Sequence, residues 1–150
     1  MYLTGSKKHS LDAKLRLTLP AEYRREFDTR VCLLPLKDAV FGFTPEAHKA
    51  YVESQFPHGY SATSRRDVAL RRGLNGATVT VDIDSAGRVA LSKLPDAERE
   101  RLGLSGEVMV VGNDDHFEVW NPATWQEINE TFAEDLDALM FEDSSRDLQA

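Results

Sequence analysis

The chain has 150 residues, of which 41% are hydrophobic, enough to build one ordinary domain or two very small ones. Its longest apolar runs span only a few residues and its first residues lack the apolar segment of a signal peptide, so we expect a cytoplasmic protein without a membrane span. The single cysteine, Cys32, excludes an internal disulfide, and its apolar neighbours predict a buried, unreactive thiol.

The net charge of −7 is unevenly distributed along the chain. Residues 1–30 carry seven Lys/Arg against four Asp/Glu, and residues 65–72 carry four arginines against one aspartate. Residues 114–150, by contrast, carry eleven acidic residues and one basic residue. The overall charge therefore argues against indiscriminate binding of polyanions, but two basic segments remain available for a specific contact.

An internal repeat relates the two halves of the sequence. LDAKLRLTLP at 11–20 aligns with IDSAGRVALS at 83–92, and AVFGFTPEAHKAY at 39–51 aligns with HFEVWNPATWQEI at 116–128. The offset grows from 72 to 77 residues between the two matches, so the second copy has the longer internal connection. A repeat of this kind predicts that the chain is organised as two similar structural units.

Each copy predicts the same elements in the same order. An alternating strand (14–19 or 88–91) leads into a short helix that a proline begins, and Gly103 would end the helix of the second copy. An apolar strand, an Asp-rich turn and a second strand then form a hairpin, after which another proline begins an amphipathic helix. Four of the six prolines are therefore predicted to begin helices, namely Pro20, Pro45, Pro95 and Pro122.

The segments outside the repeats are largely helical by pattern. Between the copies, a loop at 56–64 precedes a helix that carries Val68, Leu70 and Leu74. After the second copy, apolar residues at helical spacing predict an amphipathic helix with an acidic outer face, followed by a loose tail at 142–150. The sequence is thus divided into a first repeat (5–51), a helical linker (52–78), a second repeat (79–125) and an acidic C-terminal helix and tail (126–150).

The residues offer no catalytic constellation. The four histidines have no ligand-like spacing, and there is no GxSxG, P-loop or HExxH motif. Asp114, Asp115 and His116 could suggest a metal site, but they lie where a hairpin turn is needed, and aspartates in turns are explained by local hydrogen bonds. We therefore expect no enzyme activity, no cofactor, no metal and no small-molecule substrate.

A paired basic motif is the feature that predicts binding. Arg16 and Arg88 occupy the same place in the two copies, directly before an apolar strand and four residues after an aspartate, and Lys14 lies beside the first. These residues could simply be the outward side of a half-solvated strand. Their duplication favours DNA, which is a repeating polyanion, and a guanidinium can bind guanine or phosphate with two hydrogen bonds. The aspartates, which phosphate would repel, are interpreted as turn caps.

The sequence resembles the MraZ family, transcriptional regulators with two SpoVT/AbrB-like repeats. The motifs that carry the resemblance are DAKLRLTLP at 12–20, DSAGRV at 84–89 and FEVW at 117–120, supported by MYL at 1–3 and by Arg71 five residues before Gly76-Ala77. Together they cover roughly residues 1–130. The family pattern in each repeat is Asp-x-Lys-Gly-Arg, which is associated with DNA contact and corresponds here to Lys14, Arg16 and Arg88.

The resemblance implies a fold and a function. The fold would be α+β and β-rich, with two tandem swapped-hairpin AbrB-like repeats forming a double-split β-barrel with flanking helices. The function would be binding of double-stranded DNA at promoter-proximal repeats ahead of cell-wall and division genes, by a ring-shaped homo-oligomer on the nucleoid in the cytoplasm. We also hypothesise that the basic loops share one face while the acidic C-terminal helix lies on another.

Three departures from the family pattern leave a second hypothesis open. Leu15 replaces the family glycine, Ala86 replaces a residue that is often polar or basic, and Ser92 replaces a proline. Because leucine disfavours a positive φ, we expect the first loop to be reshaped. The chain would then be an oligomeric interaction module with weakened or lost DNA binding, which docks through the acidic helix at 123–141. An antitoxin of the same fold is a third reading, against which the second repeat argues.

Overall fold

The computed structural model describes residues 1–142, so all but the first residue of the predicted tail lies outside the described part. Within that range the chain is an α+β fold of antiparallel sheets and five α-helices. The strands are β1 (Ser6–Ser10), β2 (Arg16–Thr18), β3 (Arg30–Pro35), β4 (Val40–Phe43), β5 (Val79–Asp82), β6 (Arg88–Ala90), β7 (Glu107–Asn113) and β8 (His116–Trp120). The helices are α1 (Ala21–Arg24), α2 (Pro45–Ser54), α3 (Arg65–Ala77), α4 (Asp96–Leu102) and α5 (Pro122–Asp137).

Four of the six prolines begin helices, as predicted. Pro20 and Pro95 directly precede α1 and α4, while Pro45 and Pro122 are the first residues of α2 and α5. Gly103 ends α4 in the left-handed conformation, with φ of 64°. The second copy also has a 3-10 turn at Leu91–Lys93 and a longer helix than the first, which explains why the offset between the copies grows.

The strands are exchanged between the two repeats. Six strands form one sheet in the order β1-β7-β8-β4-β3-β5, and β2 and β6 pair with each other as a separate ribbon. Strand β1, from the first repeat, pairs with β7 of the second, and β5, from the second repeat, pairs with β3 of the first. Replacing each strand by its counterpart in the other repeat reverses the order of the sheet and leaves it otherwise unchanged, so the fold has an approximate internal twofold symmetry.

The molecule has three layers. The β2–β6 ribbon places Leu17 and Val89 in a core shared with Val110, Phe117 and Val119 on one face of the six-stranded sheet. On the other face, residues of α2 and α3 pack against Cys32, Leu34 and Phe43, and α5 contacts the sheet through Trp125, whose ring lies 5.3 Å from that of Trp120. The ribbon and α5 therefore lie on opposite sides of the sheet, and Cys32 is buried as predicted.

The centre of the sheet breaks the internal symmetry. Strands β4 and β8 pair so that Val40 faces Val119 and Gly42 faces Phe117, and these two pairs are equivalent under the symmetry. A Cβ on Gly42 would lie only 2.3–2.7 Å from atoms of the Phe117 ring. The glycine is therefore required by the phenylalanine, which in turn packs against Tyr23 and Phe27 of the first repeat.

Two helices cross the boundaries that the sequence predicts between the repeats and the segments that follow them. Helix α2 continues beyond residue 51 and α5 begins before residue 126. In the described part of the chain, no helix is both long enough and apolar enough to cross a membrane.

Candidate nucleic-acid interface

The first basic loop is organised by Asp12. Its Oδ1 accepts hydrogen bonds from the backbone N–H groups of Lys14 and Arg16, each at 2.9 Å, and its backbone carbonyl accepts one from Leu15 at 2.9 Å. The interpretation of this aspartate as a turn cap is thus confirmed. Its Oδ2 also accepts a hydrogen bond from Nε of Arg16 at 2.6 Å. This ion pair is not among the features predicted from the sequence, although an aspartate four residues before an arginine is a signal that could have indicated it.

The second basic loop repeats this arrangement. Asp84 Oδ1 accepts hydrogen bonds from the N–H groups of Ala86 at 3.0 Å and Arg88 at 2.8 Å, and Asp84 Oδ2 accepts one from Nε of Arg88 at 2.7 Å. Its backbone carbonyl accepts a hydrogen bond from Gly87 at 2.9 Å. Both loops are three-residue turns that end in a left-handed residue, a common way to connect two antiparallel segments.

The aspartates remain charged and hold only one edge of each guanidinium. The backbone N–H and the side chain of the following arginine lower the pKa of Asp12 and of Asp84 below the ordinary value. Each arginine is bound through Nε, and within residues 1–142 its two terminal nitrogens make no hydrogen bond. A fixed guanidinium with two free N–H₂ groups is suited to binding a phosphate or the edge of a guanine.

Leu15 adopts the same left-handed conformation as Gly87, its counterpart in the second loop. Its φ is 59°, against 78° for Gly87 in the second loop. The expectation of a reshaped first loop is therefore wrong, because the hydrogen bonds to Asp12 impose the same turn on both loops. A left-handed conformation costs a residue with a Cβ about 1–2 kcal/mol, and the packing of Leu15 against the core offsets part of this cost.

The ribbon brings the two arginines close together. In the β2–β6 register Arg16 pairs with Ala90 and Thr18 pairs with Arg88, whereas the intervening pair, Leu17 and Val89, is buried. Alternation along the strands therefore places both arginines on the outer face, as diagonal neighbours about 7–8 Å apart between Cα atoms. Their side chains are 27% and 34% exposed.

Lys14 was predicted to begin the strand at 14–19, but it lies in the turn, because strand β2 begins only at Arg16. It is exposed at the tip of the first loop, and Ala86 takes the equivalent place in the second. The acidic helix α5 lies across the sheet from this surface. This separation agrees with the hypothesis that the basic loops and the acidic helix occupy different faces.

The segment around His116 forms a hairpin turn. Asp114 has the positive φ of a tight turn, 64°, between β7 and β8. His116 is buried, with Nδ1 at 2.8 Å from Asp115 Oδ1 and Nε2 at 2.8 Å from Glu118 Oε2. Among the described residues, no group of three or more His, Cys, Asp or Glu side chains is arranged to hold a metal ion.

Comparisons with known proteins identify the family. A family model described as "MraZ protein, putative antitoxin-like" matches residues 74–147, which include the second repeat. The chain is 28% identical to "Transcriptional regulator MraZ" of Oenococcus oeni over 96% of its length and 98% of the relative's. It is 30% identical to the proteins of that name from Corynebacterium jeikeium (88% of this chain, 90% of the relative) and a Mycobacterium species (89% and 91%).

The relatives are named as regulators of transcription rather than as enzymes, in agreement with the lack of a catalytic motif in the sequence. The match to the Oenococcus oeni protein leaves out only 4% of this chain, so it includes both aspartate–arginine loops. The chain belongs to the MraZ family.

Proposed function

We propose that the chain is a DNA-binding regulator of transcription that contacts double-stranded DNA through Lys14, Arg16 and Arg88. One observation carries the proposal: each repeat contributes an aspartate-held arginine to the same outer face of the ribbon. Two fixed guanidinium groups at this spacing can bind neighbouring phosphates, or one phosphate and one base edge. The names of the relatives support the same function.

The two repeats, residues 5–51 and 79–125, would act as the two contact units. They are joined by the linker at 52–78 and followed by the acidic segment at 126–150. The exchange of β1 and β5 and the internal symmetry support the double-split β-barrel that the family resemblance implies. The target would be repeated DNA sequences close to promoters of cell-wall and division genes, and the protein would lie on the nucleoid in the cytoplasm.

Binding to repeated DNA would require several copies of the chain in a ring. One or two basic points bind DNA weakly, but linked copies gain from effective concentration. Helix α5 supports self-association because its apolar side is left exposed, at 38% for Ile128, 47% for Phe132 and 39% for Leu136. Exposed apolar faces of this kind mark interaction sites.

Sedimentation velocity tests the assembly. Phe132→Lys should lower the mass of the assembly, whereas Thr131→Lys, an equal change of charge at the exposed neighbouring residue, should leave it unchanged. Equal masses for both variants and the parent would remove α5 from the interface.

Fluorescence anisotropy with a duplex from upstream of the chain's own gene tests the DNA contact. Arg16→Ala and Arg88→Ala should each weaken binding and reduce the slope of log affinity against log salt by about 1. Arg66→Ala provides the matched control, because Arg66 is exposed on α3 on the opposite side of the sheet. Specific binding that both substitutions leave intact would contradict the proposal.

The second candidate is an interaction module of the same fold that no longer binds DNA. The exposed apolar side of α5 favours it, whereas the regular geometry of the first loop removes the structural reason for lost DNA binding. Assembly without salt-dependent binding to the upstream duplex would select this candidate.

A further inference from the structure

Arg24 belongs to the first repeat but lies against the loop of the second. The backbone N–H of Leu19 donates to the carbonyl of Gly87 at 2.9 Å, which places the start of α1 beside that loop. Arg24 follows one turn later, with its N–H bonded to the carbonyl of Pro20 at 2.8 Å. A Cβ built on Gly87 would lie 3.3 Å from Nε and 3.5 Å from Cδ of Arg24. The arginine side chain therefore covers Gly87, the residue directly before Arg88.

No carboxylate of the described residues neutralises the charge of Arg24. Its Nη1 donates to the backbone carbonyl of Asp28 at 3.3 Å, and within residues 1–142 it forms no ion pair. Its counterpart in the second repeat, Arg99, also lies four residues after a helix-starting proline but pairs with Asp96. The first repeat has Ala21 at the position of Asp96, so the two equivalent arginines differ in the charge that they leave available.

The tips of the two loops also differ in charge. The first loop has Lys14 at its tip, and the second has the uncharged Ala86. With Arg24 included, each loop region has one aspartate-held arginine and one additional cation. The helix of one repeat thus supplies the positive charge that the loop of the other repeat lacks.

We propose that Arg24 and Arg88 together form a second phosphate-binding point, in which Arg24 takes the role that Lys14 has in the first loop. This proposal deepens the proposed DNA contact and rests on it. An unpaired guanidinium binds phosphate oxygens through charge-assisted hydrogen bonds. Because a phosphate contact carries no sequence information, Arg24 contributes equally to matched and mismatched duplexes.

Anisotropy titrations over a range of salt concentrations test this role. Arg24→Ala should reduce the slope of log affinity against log salt by about 1, equally for the upstream duplex and a scrambled one. Arg25→Ala is the matched control, because Arg25 is the exposed C-cap residue of the same helix and is turned by about 100° from Arg24. Its slope should equal that of the parent, and thermal unfolding of each variant shows that the fold is kept.

Adding Ala86→Lys to Arg24→Ala separates binding from a structural role, since it places a lysine where the first loop has Lys14. The double variant should regain the parent slope. If Arg24 only supported the fold, a lysine at position 86 would not restore the slope. The proposal is overturned if Arg24→Ala behaves like Arg25→Ala, or if Ala86→Lys restores nothing, while Arg16→Ala and Arg88→Ala still weaken binding. If Arg16→Ala and Arg88→Ala also have no effect, the DNA contact itself is refuted and both proposals fall.

Discussion

The loops at 12–16 and 84–88 have the same shape although they share only their aspartate and arginine. Corresponding hydrogen bonds differ by no more than 0.1 Å between the two loops. The left-handed residue is a leucine packed on the core in the first loop and a glycine covered by an arginine in the second. The aspartate therefore determines the turn, whereas the residue before the arginine determines what can pack beside it.

The largest expected effect is at the centre of the sheet, where the Gly42–Phe117 pair is equivalent to the Val40–Val119 pair but differs from it in side chains. Gly42→Val should destabilise the protein by about 3 kcal/mol, the upper end of the usual cost of overpacking, because the new side chain would overlap the Phe117 ring. Urea unfolding followed by tryptophan fluorescence measures the loss.

Combining Gly42→Val with Phe117→Val provides the control. It recreates at this position the valine pair that Val40 and Val119 form at the equivalent one, so it should recover part of the loss from Gly42→Val. A double variant less stable than either single variant would show that the two pairs are not interchangeable.

Exchanging the left-handed residues tests the comparison of the loops with a smaller effect. Gly87→Leu should cost about 1–2 kcal/mol, since the left-handed conformation disfavours a Cβ and the side chain would displace Arg24. Leu15→Gly should change the free energy of unfolding by less than about 0.5 kcal/mol. Glycine removes the cost of the left-handed conformation, and this gain offsets the lost packing and the greater conformational entropy of the unfolded chain. DNA affinity should be unchanged in Leu15→Gly. Markedly tighter binding would mean that the leucine weakens the first loop after all.

The smallest expected effect is the pH dependence of the second hairpin, which has His116 and Glu118 where the first has Ala39 and Phe41. Burial disfavours the imidazolium, but hydrogen bonds to Glu118 and Asp115 outweigh it and raise the pKa of His116 above its ordinary value. The stabilisation should be complete below about pH 6.5 and decline as the pH rises through the higher pKa of the folded state. Urea unfolding between pH 5.5 and 9 measures the decline, and Glu118→Gln should reduce it. An identical pH profile in the variant would exclude this pair as its cause.

Local signals predicted much of the fold but not its long-range contacts. The prolines, the Asp-rich turns and the alternating strands each act within a few residues, so the sequence predicts α1, α2, α4 and the two hairpins. No strand was predicted at 6–10 or 79–82, because SKKHS is a polar edge strand and both segments pair only with the other repeat.

The candidate site was predictable to a similar extent. The internal repeat predicts Arg16 and Arg88 as site residues. The reshaping expected at Leu15 was wrong, because three hydrogen bonds to Asp12 override the backbone preference of leucine. The position of Arg24 depends on the pairing of β2 with β6, and no local pattern contains that information.

The exchange of strands also affects how the chain is made on the ribosome. Strand β1 leaves the ribosome well before its partner β7, which lies about 100 residues later; this separation is roughly 5–20 s of synthesis at ordinary bacterial and eukaryotic rates. During this time the first repeat lacks one of its sheet neighbours, and Lys7 and Lys8 give the waiting strand a charged composition that discourages pairing between nascent chains. The two halves of the sheet therefore mature together, so a truncated product that ends before β7 would lack the partner of β1 and would not leave a folded protein to compete for DNA.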